Sequence, residues 1–180
     1  MLSITVAPVK ILDNKTGQEV EILGGRLCLE HSLLSISKWE EKTHKPFFSQ
    51  EEMEAEDLLY YIECMTVNDV DKSIYLALTN SDISEILEYM KDAHTATWFS
   101  KNSIPKPTTT SSEATTSELI YYYMSQAQLP IEMERWNINR LFVILRIAAI
   151  KSQPPKKMDR RTAAKSNAAL NRARLKGRHH

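Results

Sequence analysis

The sequence predicts a mainly α-helical protein with an N-terminal β-hairpin and a basic, flexible C-terminal tail. Three observations predict this class: apolar and polar residues alternate over positions 1–30, apolar residues recur at helical spacing over 31–152, and lysines and arginines with few large apolar residues fill 153–180. A chain of 180 residues suits one domain with an appendage. These three stretches are therefore expected to be the hairpin, the helical domain and the tail.

The N-terminal strands are predicted on either side of a turn signal at 13–17. A third short strand is expected to end near Leu29, after the two glycines at 24–25. Helical spacing starts at His31 and stops before Pro46, because proline disfavours helical backbone in the residue before it.

Further helices are predicted from their capping signals and apolar spacing. Leu141, Ile144, Leu145 and Ala148 of the last helix are expected at the centre of the domain. The expected helices begin after a capping Ser49 with Glu52, at 71, at 81 or 82, after a capping Ser117 and at Pro130.

A segment rich in threonine and serine at 105–116 is predicted to be a linker, since it contains no large apolar residue. The formal charge of the chain is zero, but residues 151–180 hold ten of its 23 basic side chains and one of its 23 acidic ones. That segment therefore carries a net +9 and the remainder −9. This asymmetry predicts that the tail takes part in interactions rather than in folding.

No catalytic or cofactor motif is found. The four glycines match neither GxGxxG nor GxxxxGK(S/T), the common phosphate-binding motifs, and neither HExxH nor GxSxG occurs. Cys28 and Cys64 lack metal-ligand spacing and are interpreted as reduced, buried thiols. His31 beside Glu30, or His44 near Glu40, could form an acid–base pair, but solvated helix faces explain these residues better. We therefore expect no catalytic residue, no metal, no cofactor and no membrane span.

Aromatic residues are the stronger signal. Three consecutive tyrosines, 121–123, span about 300° of a helix, so they cannot all face one core. At least one is expected to be exposed or at an interface, where aromatic side chains commonly contribute to binding.

Six stretches, in order over about two thirds of the chain, resemble the tail assembly chaperone-like proteins of tailed bacteriophages. Asn137 differs from the histidine that often follows the tryptophan in that group. The stretches are LEHSLLSISKWEEKTHKPF at 29–47, YIECMT at 61–66, ATWF at 96–99, TSELIYYYM at 116–124, PIEMERWNINRL at 130–141 and QPPKKM at 153–158.

The resemblance implies a non-enzymatic protein of tail morphogenesis, which would cover apolar helical segments of the tape measure protein in the host cell cytoplasm. It implies that 31–48 is a helix and turn in which Leu33, Ile36 and Trp39 pack inward. Methionines 53, 65, 90, 124 and 133 are expected to line partner grooves. The predicted partner contacts are Trp39, Phe47, Phe48, Tyr122, Tyr123, Met124, Trp136, Lys156, Lys157, Arg160 and Arg161.

The sequence is also compatible with two other functions. A structural virion component, such as a neck, tail-completion or capsid-associated protein, would use the basic tail to dock on an acidic neighbour or on DNA. A nucleic-acid-binding protein is less favoured, because the basic segment lacks aromatic residues and the acidic body would repel phosphate. The expected partners are therefore the tape measure protein or other tail proteins, with a homo-oligomer left open.

Overall fold

The computed structural model describes residues 1–12, 19–50, 53–97, 99, 114–152 and the single positions 165 and 168. Most of the predicted linker and nearly all of the predicted tail lie outside these residues. The same holds for four of the predicted partner contacts, Lys156, Lys157, Arg160 and Arg161.

The N-terminal strands form two antiparallel pairs. The strands at Val9–Leu12 and Glu19–Ile22 pair as the predicted hairpin, with Val9 opposite Ile22, and the turn between them lies outside the described residues. The first and last strands pair with Leu2 opposite Leu29, so the expected strand ending near Leu29 is confirmed. The strands are β1 at Leu2–Val6, β2 at Val9–Leu12, β3 at Glu19–Ile22 and β4 at Gly25–Leu29.

Helices make up most of the remainder, which confirms the mainly helical class. The helices are α1 at Leu33–Thr43, α2 at Ala55–Met65, α3 at Asn80–Lys91, α4 at Ser117–Gln126 and α5 at Ile138–Lys151. Short 3₁₀ turns lie at Phe47–Ser49, Lys72–Ala77 and Ile131–Arg135.

The predicted cap of α4 is wrong, since Thr116 and not Ser117 is its N-cap. Helix α3 begins at Asn80 with Thr79 as its cap, slightly before the predicted start at 81 or 82.

Two other predicted helix starts are wrong by more. Ser49 ends a 3₁₀ turn, and α2 begins at Ala55 without a side-chain cap. The helix expected from Pro130 is a 3₁₀ turn followed by a new helix with Asn137 as its N-cap. Tertiary contact explains the second difference, since the backbone N–H of Ile138 donates to the carbonyl of His31 at 2.8 Å and thereby anchors the start of α5.

One hydrophobic core contains residues of strands β1 and β4 and of all five helices. Helix α1 lies within it and buries Leu33, Ile36 and Trp39 completely, so the predicted inward face is confirmed. Strand β4 contributes Leu27 and Leu29, both fully buried. The β1–β4 pair and the helices therefore stabilise each other, because each covers apolar surface of the other.

The prediction that α5 forms the centre of the domain is largely wrong. Ile138 and Leu141 are its buried residues, whereas Ile144, Leu145 and Ala148 are only half-buried. A helix that is apolar on all sides is usually buried on all sides, which is why the sequence suggested a central position. Here the first turn is anchored in the core and the following turns lie at the surface.

Candidate partner-binding surface

The surface of α5 is unusually apolar for a helix that is not enclosed. From Phe142 to Ile150 its apolar side chains are all half-buried or exposed. Solvent-exposed apolar residues that occur singly are common, but a continuous apolar face indicates a contact with something else.

A groove runs between α4 and α5 and encloses about 540 Å³. Its α5 side presents Phe142, Leu145 and Ala149 at the i, i+3, i+7 spacing of a single helix face. We call it the α4–α5 groove, and its lining residues are Thr115, Ile120, Tyr123, Gln126, Ala127, Phe142, Leu145, Arg146, Ala148, Ala149 and Ser152. Most of these side chains are apolar, and Arg146 carries the one formal charge among them.

Three of the predicted partner contacts lie in or next to this groove. Tyr123 lines it, and the ring of Tyr122 lies 5.7 Å from the Tyr123 ring. Both are about half exposed, which confirms that the three tyrosines do not share one core. Phe48 packs beneath the groove with its ring centroid 5.4 Å from that of Phe142. Phe48 would therefore orient a groove residue rather than contact a partner directly.

Trp39 and Met124 lie in the core and have almost no exposed surface, so their prediction as partner contacts does not fit this conformation. The indole N–H of Trp39 donates to the carbonyl of Asp57 at 3.0 Å, which joins α1 to α2. Phe47 is half-buried, and its ring packs edge-on against the Trp39 ring with 5.5 Å between the ring centroids. These residues support the fold of the helix and turn at 31–48.

The expectation that five methionines line partner grooves is wrong for two of them. Met65 and Met124 are buried in the core, and Met53, Met90 and Met133 are half-buried against it. The α4–α5 groove is instead lined by isoleucine, leucine, phenylalanine, tyrosine and alanine. These side chains have fewer rotatable bonds than methionine, so they form a surface of more defined shape.

Trp136 lies elsewhere, at a polar pocket of about 350 Å³ that shares no lining residue with the groove. The Arg140 guanidinium carbon lies 5.2 Å from the centre of the Trp136 ring. Tyr89 also lines this pocket and donates a 2.6 Å hydrogen bond to Glu30. Burial, and this bond, raise the pKa of the Tyr89 hydroxyl.

The predicted solvated positions of His31 and Glu40 are wrong, since both side chains are buried. Nδ1 of His31 lies 2.5 Å from the Tyr61 hydroxyl, and burial lowers the pKa of this histidine to about 4. The Glu40 carboxylate binds backbone N–H groups instead of a histidine. Both side chains therefore have structural partners. Within the described ranges, no cluster of His, Cys, Asp or Glu is placed to hold a metal ion.

Arg146, Phe142 and Ala149 were not predicted as site residues. The sequence around them predicts a helix with apolar residues on every side and an arginine in its middle. This pattern could have indicated an uncovered apolar face, but it was interpreted as a helix of the hydrophobic core. Comparison of the chain with protein families, curated proteins and solved structures finds no match. No helix in the part of the chain that the structure describes is long and apolar enough to cross a bilayer.

Proposed function

We propose that this protein acts without catalysis in the assembly of a bacteriophage tail. It would hold apolar helical segments of the tape measure protein in the α4–α5 groove until the tail tube encloses them. The observation that carries this proposal is the partly exposed apolar face of α5 next to α4. The ordered resemblance of six sequence stretches to tail assembly chaperone-like proteins supplies the biological setting.

The groove suits a helical partner by its dimensions. Between Phe142 and Ser152 the α5 side rises about 15 Å, which matches roughly three turns of a second helix. Recognition of an amphipathic helix in an apolar groove depends on residues at i, i+3/i+4 and i+7, and α4 and α5 present their own side chains at this spacing. Such binding would occur in the host cell cytoplasm, before tail completion.

Co-purification with fragments of the tape measure protein tests the proposal. The variant Ala149→Arg places a long charged side chain in the groove at an exposed position, so it should leave the fold intact and weaken capture at least about tenfold. Ser125→Arg is the matched control, because Ser125 is exposed on α4 outside the groove. Equal capture by both variants, with unchanged circular dichroism, would rule out the groove as the binding site.

A structural role in the virion is the second candidate, and the net charge of +9 on residues 151–180 favours it. A basic segment of this kind can dock on an acidic neighbour or on DNA. Mass spectrometry of purified virions separates the two functions: an assembly chaperone should be missing from them, whereas a neck, tail-completion or capsid-associated protein should be present in a fixed number of copies.

A further inference from the structure

Arg146 lies on the groove-facing side of α5, one turn after Phe142 and one turn before Ala149. Its guanidinium carbon lies 4.0 Å from the centre of the Phe99 ring. Stacking on an aromatic face holds a guanidinium in a defined orientation and leaves its edge N–H groups available for hydrogen bonds. The arginine is thus a positioned cation within an apolar surface.

One end of this guanidinium is enclosed without a partner. Nη2 of Arg146 is buried and donates no hydrogen bond to any described residue. The other residues with polar groups in the groove are Thr115, Tyr123, Gln126 and Ser152, none of which is a carboxylic acid. An unpaired buried donor is unfavourable, and a charged one more so. None of the residues that line the groove neutralises the charge of Arg146.

The positive charge of Arg146 distinguishes between three possible ligands of the groove: the C-terminal segment, a second copy of the chain and a separate partner. Residues 153–180 begin next to Ser152, but nine of their ten charged side chains are basic and cannot pair with Arg146. A second copy docking by the same face would bring two Arg146 guanidiniums toward each other. A separate partner with a carboxylate on its apolar face has the complementary charge.

We infer that the α4–α5 groove binds an amphipathic helix whose apolar face carries one glutamate or aspartate, and that this carboxylate pairs with Arg146. This inference rests on the proposed function and specifies the segments that the protein would select. Carboxylate and guanidinium form two parallel hydrogen bonds, and these are strengthened when apolar neighbours exclude water. Apolar helices without the acid would leave Arg146 unpaired and bind more weakly.

Fluorescence anisotropy with the full chain tests the inference. The probes are two labelled synthetic helices of about 18 residues that differ only in a central Glu or Gln on the leucine-rich face, together with a sequence-scrambled control. The intact protein should bind the Glu peptide about tenfold more tightly than the Gln peptide. Arg146→Met replaces the charged side chain by an apolar one of similar length and should remove the preference for the Glu peptide. Arg146→Lys retains the positive charge and should keep part of this preference.

The outcomes separate the inference from the proposed function. If the Glu and Gln peptides bind equally and more tightly than the scrambled peptide, or if Arg146→Met keeps the preference, pairing with Arg146 is wrong and the groove function stands. If neither helix binds better than the scrambled peptide, both are wrong. If deletion of 153–180 raises both affinities tenfold, or if Ala149→Arg dissociates a dimer in sedimentation, the groove is occupied by the tail or by a second copy and the inference fails.

Discussion

The Oε2 atom of Glu40 accepts a 2.7 Å hydrogen bond from the backbone N–H of Ser117, 77 residues further along the chain. The other carboxylate oxygen accepts a 2.8 Å hydrogen bond from the N–H of Phe47. Ser117 is the first residue of α4, where backbone N–H groups have no partner within the helix and the helix dipole favours a negative charge. One buried carboxylate thus joins the end of α1, the following turn and the start of α4.

The variant Glu40→Gln tests this junction. An amide has one acceptor oxygen, so one of the two backbone N–H groups loses its acceptor and faces an NH₂ group instead. We expect the free energy of unfolding to fall by about 1–3 kcal/mol in urea denaturation. Glu41→Gln is the matched control, because Glu41 is exposed, and it should change stability by less than about 0.5 kcal/mol. A similar effect of both substitutions would contradict the role of Glu40.

Helix α5 should show a steep gradient of stability along its length. Leu141→Ala should cost about 2–5 kcal/mol, since Leu141 is completely buried. Leu145→Ala should lower the free energy of unfolding by less than half as much as Leu141→Ala does, because Leu145 is only half-buried. It should also weaken peptide binding, because Leu145 lines the groove. Chemical denaturation and the anisotropy assay measure the two effects separately. Equal losses of stability would mean that the second half of α5 is packed as tightly as the first.

The buried His31 should make stability depend on pH. Burial is the main cause of its lowered pKa; Glu30 acts in the opposite direction and His94 in the same direction. Between pH 6.5 and about pH 4, His31 is protonated in the unfolded chain but not in the folded chain. Stability that is present above pH 6.5 is therefore lost as the pH falls through this range. The loss is on the order of 3 kcal/mol.

His31→Gln should remove this part of the pH dependence. The difference in unfolding free energy between the intact protein and the variant should shrink as the pH is lowered from 7 to 4, as measured by urea denaturation at several pH values. His44→Asn removes an exposed histidine and serves as the control. A constant difference across this range would show that His31 is protonated equally in the folded and unfolded states.

Deletion of residues 153–180 should leave the thermal midpoint nearly unchanged. The expectation comes from the sequence, in which this segment has too few large apolar residues to offset the entropy of ordering it. Binding to the tape measure or to a virion partner should weaken, most clearly at low salt, because attraction by a basic segment is screened by ions. Unfolding or precipitation of the truncated chain would show instead that the tail packs on the acidic body.

Part of the binding surface could be predicted from local sequence. Three consecutive tyrosines on one helix must point in different directions, so exposure of Tyr122 and Tyr123 follows from helix geometry alone. The inward positions of Leu33, Ile36 and Trp39 follow from their spacing in the same way. For Met124 the type of residue suggested a partner groove, but its position on the inner face of α4 places it in the core.

The sequence by itself determined the mainly helical class, the hairpin and the approximate place of each helix, because alternation, helical spacing and turn residues act within a few positions of each other. Tertiary structure decided which apolar helix face is covered and which is not. His31, through its carbonyl, anchors the start of α5, and Glu40 anchors the start of α4. These contacts between distant residues set the position of both helices, and burial depends on what packs against a face rather than on the residues that compose it. For this reason α5, with the sequence of a core helix, forms one wall of an open groove.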